Sequence, residues 1–221
     1  MNTLELADWL PRSNAVNLLA GLFLLSALRA AGSRRVRGCI SAYRWNSVAL
    51  ALIALVVALD TASRAVALAA LLVLAIKAGL IPMLLARQVK QQEVLTRVAL
   101  PTGMLVCGAL VVLAFSQTRV LFGSDPSILA SCLPVSVATT LVALFVMVTR
   151  RQALMQVLGL VLLENAIFLA AVSLTQGLPL VVEMGILLDL LAGVALLGLF
   201  VGRIEDTLGE GDVSRLDSLR E

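Results

Sequence analysis

Away from loops and helix ends, four charged side chains of this sequence lie inside long apolar runs: Lys77, Glu164, Glu183 and Asp189. Placing Lys or Asp at the centre of a membrane helix costs about 2.5–3.5 kcal/mol on insertion scales. Such residues ordinarily face a cavity, a partner charge or an ion path. Three carboxyls and one ammonium can hold and pass protons without a cofactor. Their proton affinities respond to burial and to neighbouring charge, so a row of them can hand a proton along as local charge changes. Lys77 would be the switching cation or the far end of such a row. The plainer alternative is a structural ion pair, or a neutral carboxylic acid that fixes helix contacts. Glu183, nearer a helix end, could instead face interfacial water.

Helices must bring these groups together. Glu164 lies about 11 residues before the turn at Thr175-Gln176, and Asp189 about 13 after it. At about 1.5 Å per residue both fall near the bilayer midplane. Neighbouring helix axes pack about 8–10 Å apart, which puts the two carboxylates within reach of one or two bridging waters. Glu183 and Asp189, six residues apart on one helix, are about 120° apart around its axis. They can border a curved path but do not share a face. Pro82, five residues after Lys77, removes a helix hydrogen bond and is predicted to kink that helix. Broken helices with polar groups are tolerated where water lines a cavity.

Composition demands a membrane. The 221 residues are 60% hydrophobic and 14% charged, against about 45–50% and 25% for a soluble globular chain. The mean hydropathy is +1.01. There are 17 Lys and Arg, 14 Asp and Glu, three cysteines and no histidine. Three cysteines build no disulfide framework. The basic pI of about 9.1 fits loops at a cytoplasmic membrane surface better than nucleic-acid binding.

Seven apolar runs are predicted as helices: Asn14–Ala30, Asn46–Ala62, Ala65–Ala86, Val98–Phe115, Leu129–Val148, Leu154–Leu174 and Leu178–Val201. Each approaches the roughly 20 residues that span a bilayer. Their continuous Leu, Ala and Val argue against a β-barrel, whose strands alternate in polarity. The expected fold is therefore an all-α polytopic bundle. Arg29, Arg34, Arg35, Arg37 and Arg44 crowd the first loop, Arg87, Lys90 and Arg97 the third, and Arg150 and Arg151 the fifth. The second and fourth loops hold one basic residue each, Arg64 and Arg119, and the sixth none. Basic loops stay cytoplasmic, so the N-terminus is expected outside and the C-terminus inside. Glu5 and Asp8 stand where a signal peptide would be basic. The chain divides into a five-helix region (1–148), a two-helix hairpin carrying carboxylates (149–204) and a polar tail (205–221).

No Gly-rich phosphate loop, CxxC pair or histidine-based site is present. The chain is expected to be no enzyme by itself and to bring no cofactor. Cys39, Cys107 and Cys132 read as small hydrophobes. Gly198 and Gly202 form a GxxxG that suits helix packing. Trp9, Trp45 and Tyr43 sit at run edges, as interfacial anchors do.

Several motifs carry a family resemblance. Gln156-Val157-Leu158-Gly159, Glu164-Asn165, and Pro179 through Glu183, Gly185 and Asp189 resemble component E of hydrogenase-4 and formate hydrogenlyase complexes. Lys77 followed by Pro82, Arg151 before the sixth helix, and Asp212-Val213 with Leu216 and Leu219 are similar too. The resemblance covers most of the chain and is firmest over Arg150–Ile204. The last three helices, from 129 on, also resemble the K subunit of respiratory complex I and the C subunit of Mrp antiporters. In the K subunit two helix-borne glutamates line the proton path. Glu164 falls at the first. Asp189 falls at the second, one methylene shorter than the family glutamate, and Glu183 is placed to share that role.

The resemblance implies a multi-pass subunit of a bacterial inner membrane. Its partners would be antiporter-like and quinone-binding-type membrane subunits and the lipid bilayer. A peripheral hydrogenase or other redox arm would do the electron chemistry. Two other readings remain beside it: an Mrp-like cation/proton antiporter subunit without a redox partner, and a purely structural anchor.

Overall fold

The computed structural model describes residues 12–61, 67–68, 70–71, 73–88, 98–122 and 132–175. Glu183, Asp189, the expected helix Leu178–Val201 and the tail lie outside the described residues. All described residues belong to one unit, Met1–Met184.

The described elements are helices: α1 (Arg12–Gly32), α2 (Val36–Thr61), a π-helix (Val73–Leu80) running into α3 (Ile81–Gln88), α4 (Leu100–Phe122), α5 (Cys132–Thr149) and α6 (Ala153–Thr175). Five of them are long and apolar enough to cross a membrane: α1, α2, α4, α5 and α6. The chain is an all-α membrane protein.

The second helix departs most from its expected bounds. α2 starts at Val36 rather than Asn46, and only Ser33–Arg35 separate it from α1. Its 26 residues make a rod of about 39 Å, longer than the roughly 30 Å hydrocarbon core. A helix that overshoots the core can carry charge on its outer turns. Arg37 and Arg44, expected in a loop, are helical and exposed. The buried residues Val36, Cys39, Ile40, Tyr43, Asn46, Ser47 and Leu50 recur at the three- and four-residue spacing of one helix face. Tyr43 is thus fully buried and is not an interfacial anchor, whereas Trp45 is exposed.

The turn after α1 is closed by side chains. The last four carbonyls of a helix have no partner within it. Ser33 Oγ donates to the Arg29 carbonyl at 2.7 Å, Cys39 Sγ to that of Ala30 at 3.4 Å, and Arg150 to that of Ala31.

The helices assemble as two hairpins. α1 packs along α2 and α5 along α6, and the pairs meet through α1 with α5 and α2 with α6. The π-helix and α3 lie on α2. Their core includes Phe23, Leu50, Ile53, Val135, Phe168 and Leu169. Only Arg150–Gln152 join α5 to α6, and Gly159 lets them approach. A Cβ there would press on Met147 Cγ and meet the Ala143 carbonyl oxygen at 3.3 Å. α4 leans on α5 with only 11% of its span buried, and presents an apolar surface such as lipid or another helix would cover.

Candidate functional site

Lys77 sits within the π-helix, five residues before Pro82. A π-helical hydrogen bond to the Lys77 carbonyl would come from residue 82, and proline has no N–H to give. Ahead of Pro82, where a kink is expected from the sequence, the chain is π-helical up to Leu80. Such turns are rare and recur at functional sites.

Glu164 is the twelfth of the 23 residues of α6, so it lies at mid-helix. Its Oε1 is 3.4 Å from Lys77 Nζ, with the lysine side chain 0% and the glutamate 9% exposed. A tight charge-assisted hydrogen bond is about 2.7–2.9 Å, so this is an ion pair held slightly apart. Each partner offsets part of the cost of burying the other. The pair can be written as ammonium and carboxylate or as amine and carboxylic acid; the two forms hold the same number of protons and differ in which partner carries one.

The next residue on α6 anchors this turn. Asn165 Nδ2 donates to Asn46 Oδ1 at 2.9 Å and to Ser47 Oγ at 3.0 Å, both on α2. Asn46 Nδ2 donates in turn to the Phe23 carbonyl of α1 at 2.9 Å. All three polar side chains are 0% exposed. This amide clamp ties α1, α2 and α6 together beside Glu164. Among the described residues the Asn165 Oδ1 has no donor.

A second buried cation lies at the end of α5. Arg150, expected as a loop charge, is only 4% exposed. Its guanidinium donates to the Ala31 carbonyl, where a cation also meets the negative end of the α1 dipole. Burial pulls its pKa below the usual guanidinium value, yet arginine stays charged in proteins.

Of the four sequence-predicted site residues, the structure brings Lys77 and Glu164 together; Glu183 and Asp189 are not among the described residues. Sequence reasoning missed Asn46, Ser47 and Asn165 as a unit, and Arg150 as a buried group. The signal for the first was the heptad-like face of α2 continuing back to Val36. For Arg150 no local signal exists, because its partner is 119 positions away.

No protein-family model matches the chain, and no solved structure matches it. The uncharacterized protein Rv0085 of Mycobacterium tuberculosis is 33% identical over 211 residues, 93% of this chain and 96% of its own length. The chain belongs to the same family as that mycobacterial protein.

Proposed function

We propose that this chain is a non-catalytic membrane-arm subunit of a complex-I-like, hydrogenase-type oxidoreductase, of the hydrogenase-4 component E kind. It relays protons through Lys77 and Glu164. The observation that carries the reading is the buried pair at 3.4 Å, two titratable groups in a setting where either alone would be costly.

The relay has three steps. A proton arrives at the Glu164 carboxylate and neutralises it. The Lys77 ammonium, with its Glu164 counter-charge neutralised, releases a proton onward. The Glu164 acid then passes its proton to the Lys77 amine and the ion pair reforms. One proton enters at the carboxylate and one leaves from the ammonium. The amide clamp keeps the Glu164 turn in register with α2 throughout. Glu183 and Asp189 would extend the path in the following helix.

In this reading the chain has seven membrane helices, its N-terminus outside and its C-terminus inside a bacterial cytoplasmic membrane. Antiporter-like and quinone-binding-type subunits flank it, and a peripheral redox arm carries the cofactors.

The test is Glu164→Gln in the assembled complex, read as proton uptake by inverted vesicles during redox turnover. Uptake is expected to fall to background while the complex still purifies. Undiminished uptake overturns the proposal. Because the single change removes the carboxylate facing Lys77, Lys77→Met/Glu164→Gln serves as the folding control. The clamp also favours a second reading, a structural anchor, and in that case the double variant pumps normally. Co-purification separates the antiporter reading: iron–sulfur and hydrogenase subunits should accompany the chain, not antiporter subunits alone.

A further inference from the structure

A groove with a volume of ≈ 320 Å³ runs between α1 and α2. Its walls are apolar, with Leu22, Leu25 and Leu52 exposed along it. Arg29 closes one end, and Trp45 lines the wall with 60% of its surface exposed. From Leu19 to Arg29 the groove follows ten residues of helix, about 15 Å. That is half of the roughly 30 Å hydrocarbon core, the depth of one leaflet.

Among the described residues the charge at the Arg29 end has one sign. Arg29, Arg34, Arg35, Arg37 and Arg44 are all exposed, and the sequence holds no Asp or Glu between Asp8 and Asp60. Exposed basic residues beside a membrane helix attract anionic headgroups. Arginine in particular matches a phosphate with a planar fork of donors. An aromatic ring with one wet edge suits the boundary between headgroup and chain.

We infer that the α1–α2 groove is a binding site for an anionic phospholipid. One acyl chain lies against Leu22, Leu25 and Leu52, and the phosphate is on Arg29. The inference needs only that the chain spans a membrane, and it stands whether or not Lys77 and Glu164 relay protons.

The test uses the full chain carrying Trp9→Phe, so that Trp45 is the sole tryptophan. It is reconstituted in phosphatidylcholine nanodiscs with brominated phosphatidylglycerol or brominated phosphatidylcholine. Trp45 fluorescence should be half-quenched at about fivefold lower mole fraction of the brominated anionic lipid, the gain expected from one basic residue at an anionic surface. Arg29→Gln should erase that difference, and neutralising Arg34, Arg35 and Arg37 together should leave most of it. Arg29 is exposed, so its variant is expected to fold, and helicity by circular dichroism checks this. Equal quenching by the two lipids would mean ordinary boundary lipid and overturn the site. So would a preference that survives Arg29→Gln but vanishes in the triple variant. Absence of quenching by either lipid would mean that another helix covers the groove, which also overturns it.

Discussion

Lys77 and Arg150 are both buried, at 0% and 4% exposure, yet the bundle accommodates them in different ways. Lys77 meets a carboxylate 3.4 Å away on another helix. Arg150 meets the backbone carbonyl of Ala31 at the end of α1. A carboxylate can take up a proton and lose its charge; a carbonyl cannot. Lysine gives up a proton when its surroundings demand it, whereas arginine does not. The first arrangement has two protonation states within reach of each other, and the second has one. In the proposed relay the same burial serves a switch at Lys77, whereas at Arg150 it goes with a fixed helix cap.

The strongest way to break this contrast is to remove one member of the pair. Glu164→Gln or Lys77→Met alone is expected to destabilise the protein by about 3–5 kcal/mol, because each leaves an uncompensated charge or acid in the interior. The double variant should recover most of that loss, since replacing both partners of a buried pair is often close to neutral. Unfolding in detergent micelles measures all three. If the double variant falls by the sum of the single losses, the two groups do not interact and the pair is not a unit.

Arg150→Met comes next. It strips the Ala31 carbonyl of its donor and removes a cation from the helix end, and should cost about 1–3 kcal/mol. Proton movement per assembled protein should stay unchanged. A fall in transport beyond the loss of protein would place Arg150 with the switching groups and erase the distinction from Lys77.

The contrast was only half legible in the sequence. Lys77 and Glu164 stood out because a charge inside an apolar run is conspicuous whatever the fold. Their meeting was not legible, since it joins a π-helix to α6 across the bundle. Arg150 read as one more loop charge, because the sequence does not show that the turn between α5 and α6 tucks against the end of α1. Asn46 stood at the edge of an apolar run, and hydropathy alone treated the preceding arginines as a loop. The three- and four-residue spacing of Val36, Cys39, Ile40 and Tyr43 was the better guide. It follows a buried face, whereas average hydropathy is diluted by Arg37 and Arg44 on the other side. The bareness of α4 was likewise invisible, because an apolar helix reads the same against lipid as against protein.

The smallest expected effect makes the finest distinction. Asn165→Leu removes two bonds between α6 and α2, and interhelical hydrogen bonds in membranes average about 0.6 kcal/mol each. The loss should be about 1 kcal/mol, and Ser47→Ala about half of that, both read by the same unfolding assay. These figures are small beside those for Lys77 and Glu164, so the clamp links the three helices without supplying most of their stability. Its effect should fall on position: Asn165 adjoins Glu164 in sequence and fixes the rotation of that turn toward α2. Asn165→Leu should therefore slow proton movement by more than its stability loss explains, while Ser47→Ala, which leaves the Asn165–Asn46 bond in place, should not. Equal and negligible effects of the two on transport would make the clamp ordinary packing glue. The ion pair would then hold its geometry alone, as Arg150 does at the end of α1.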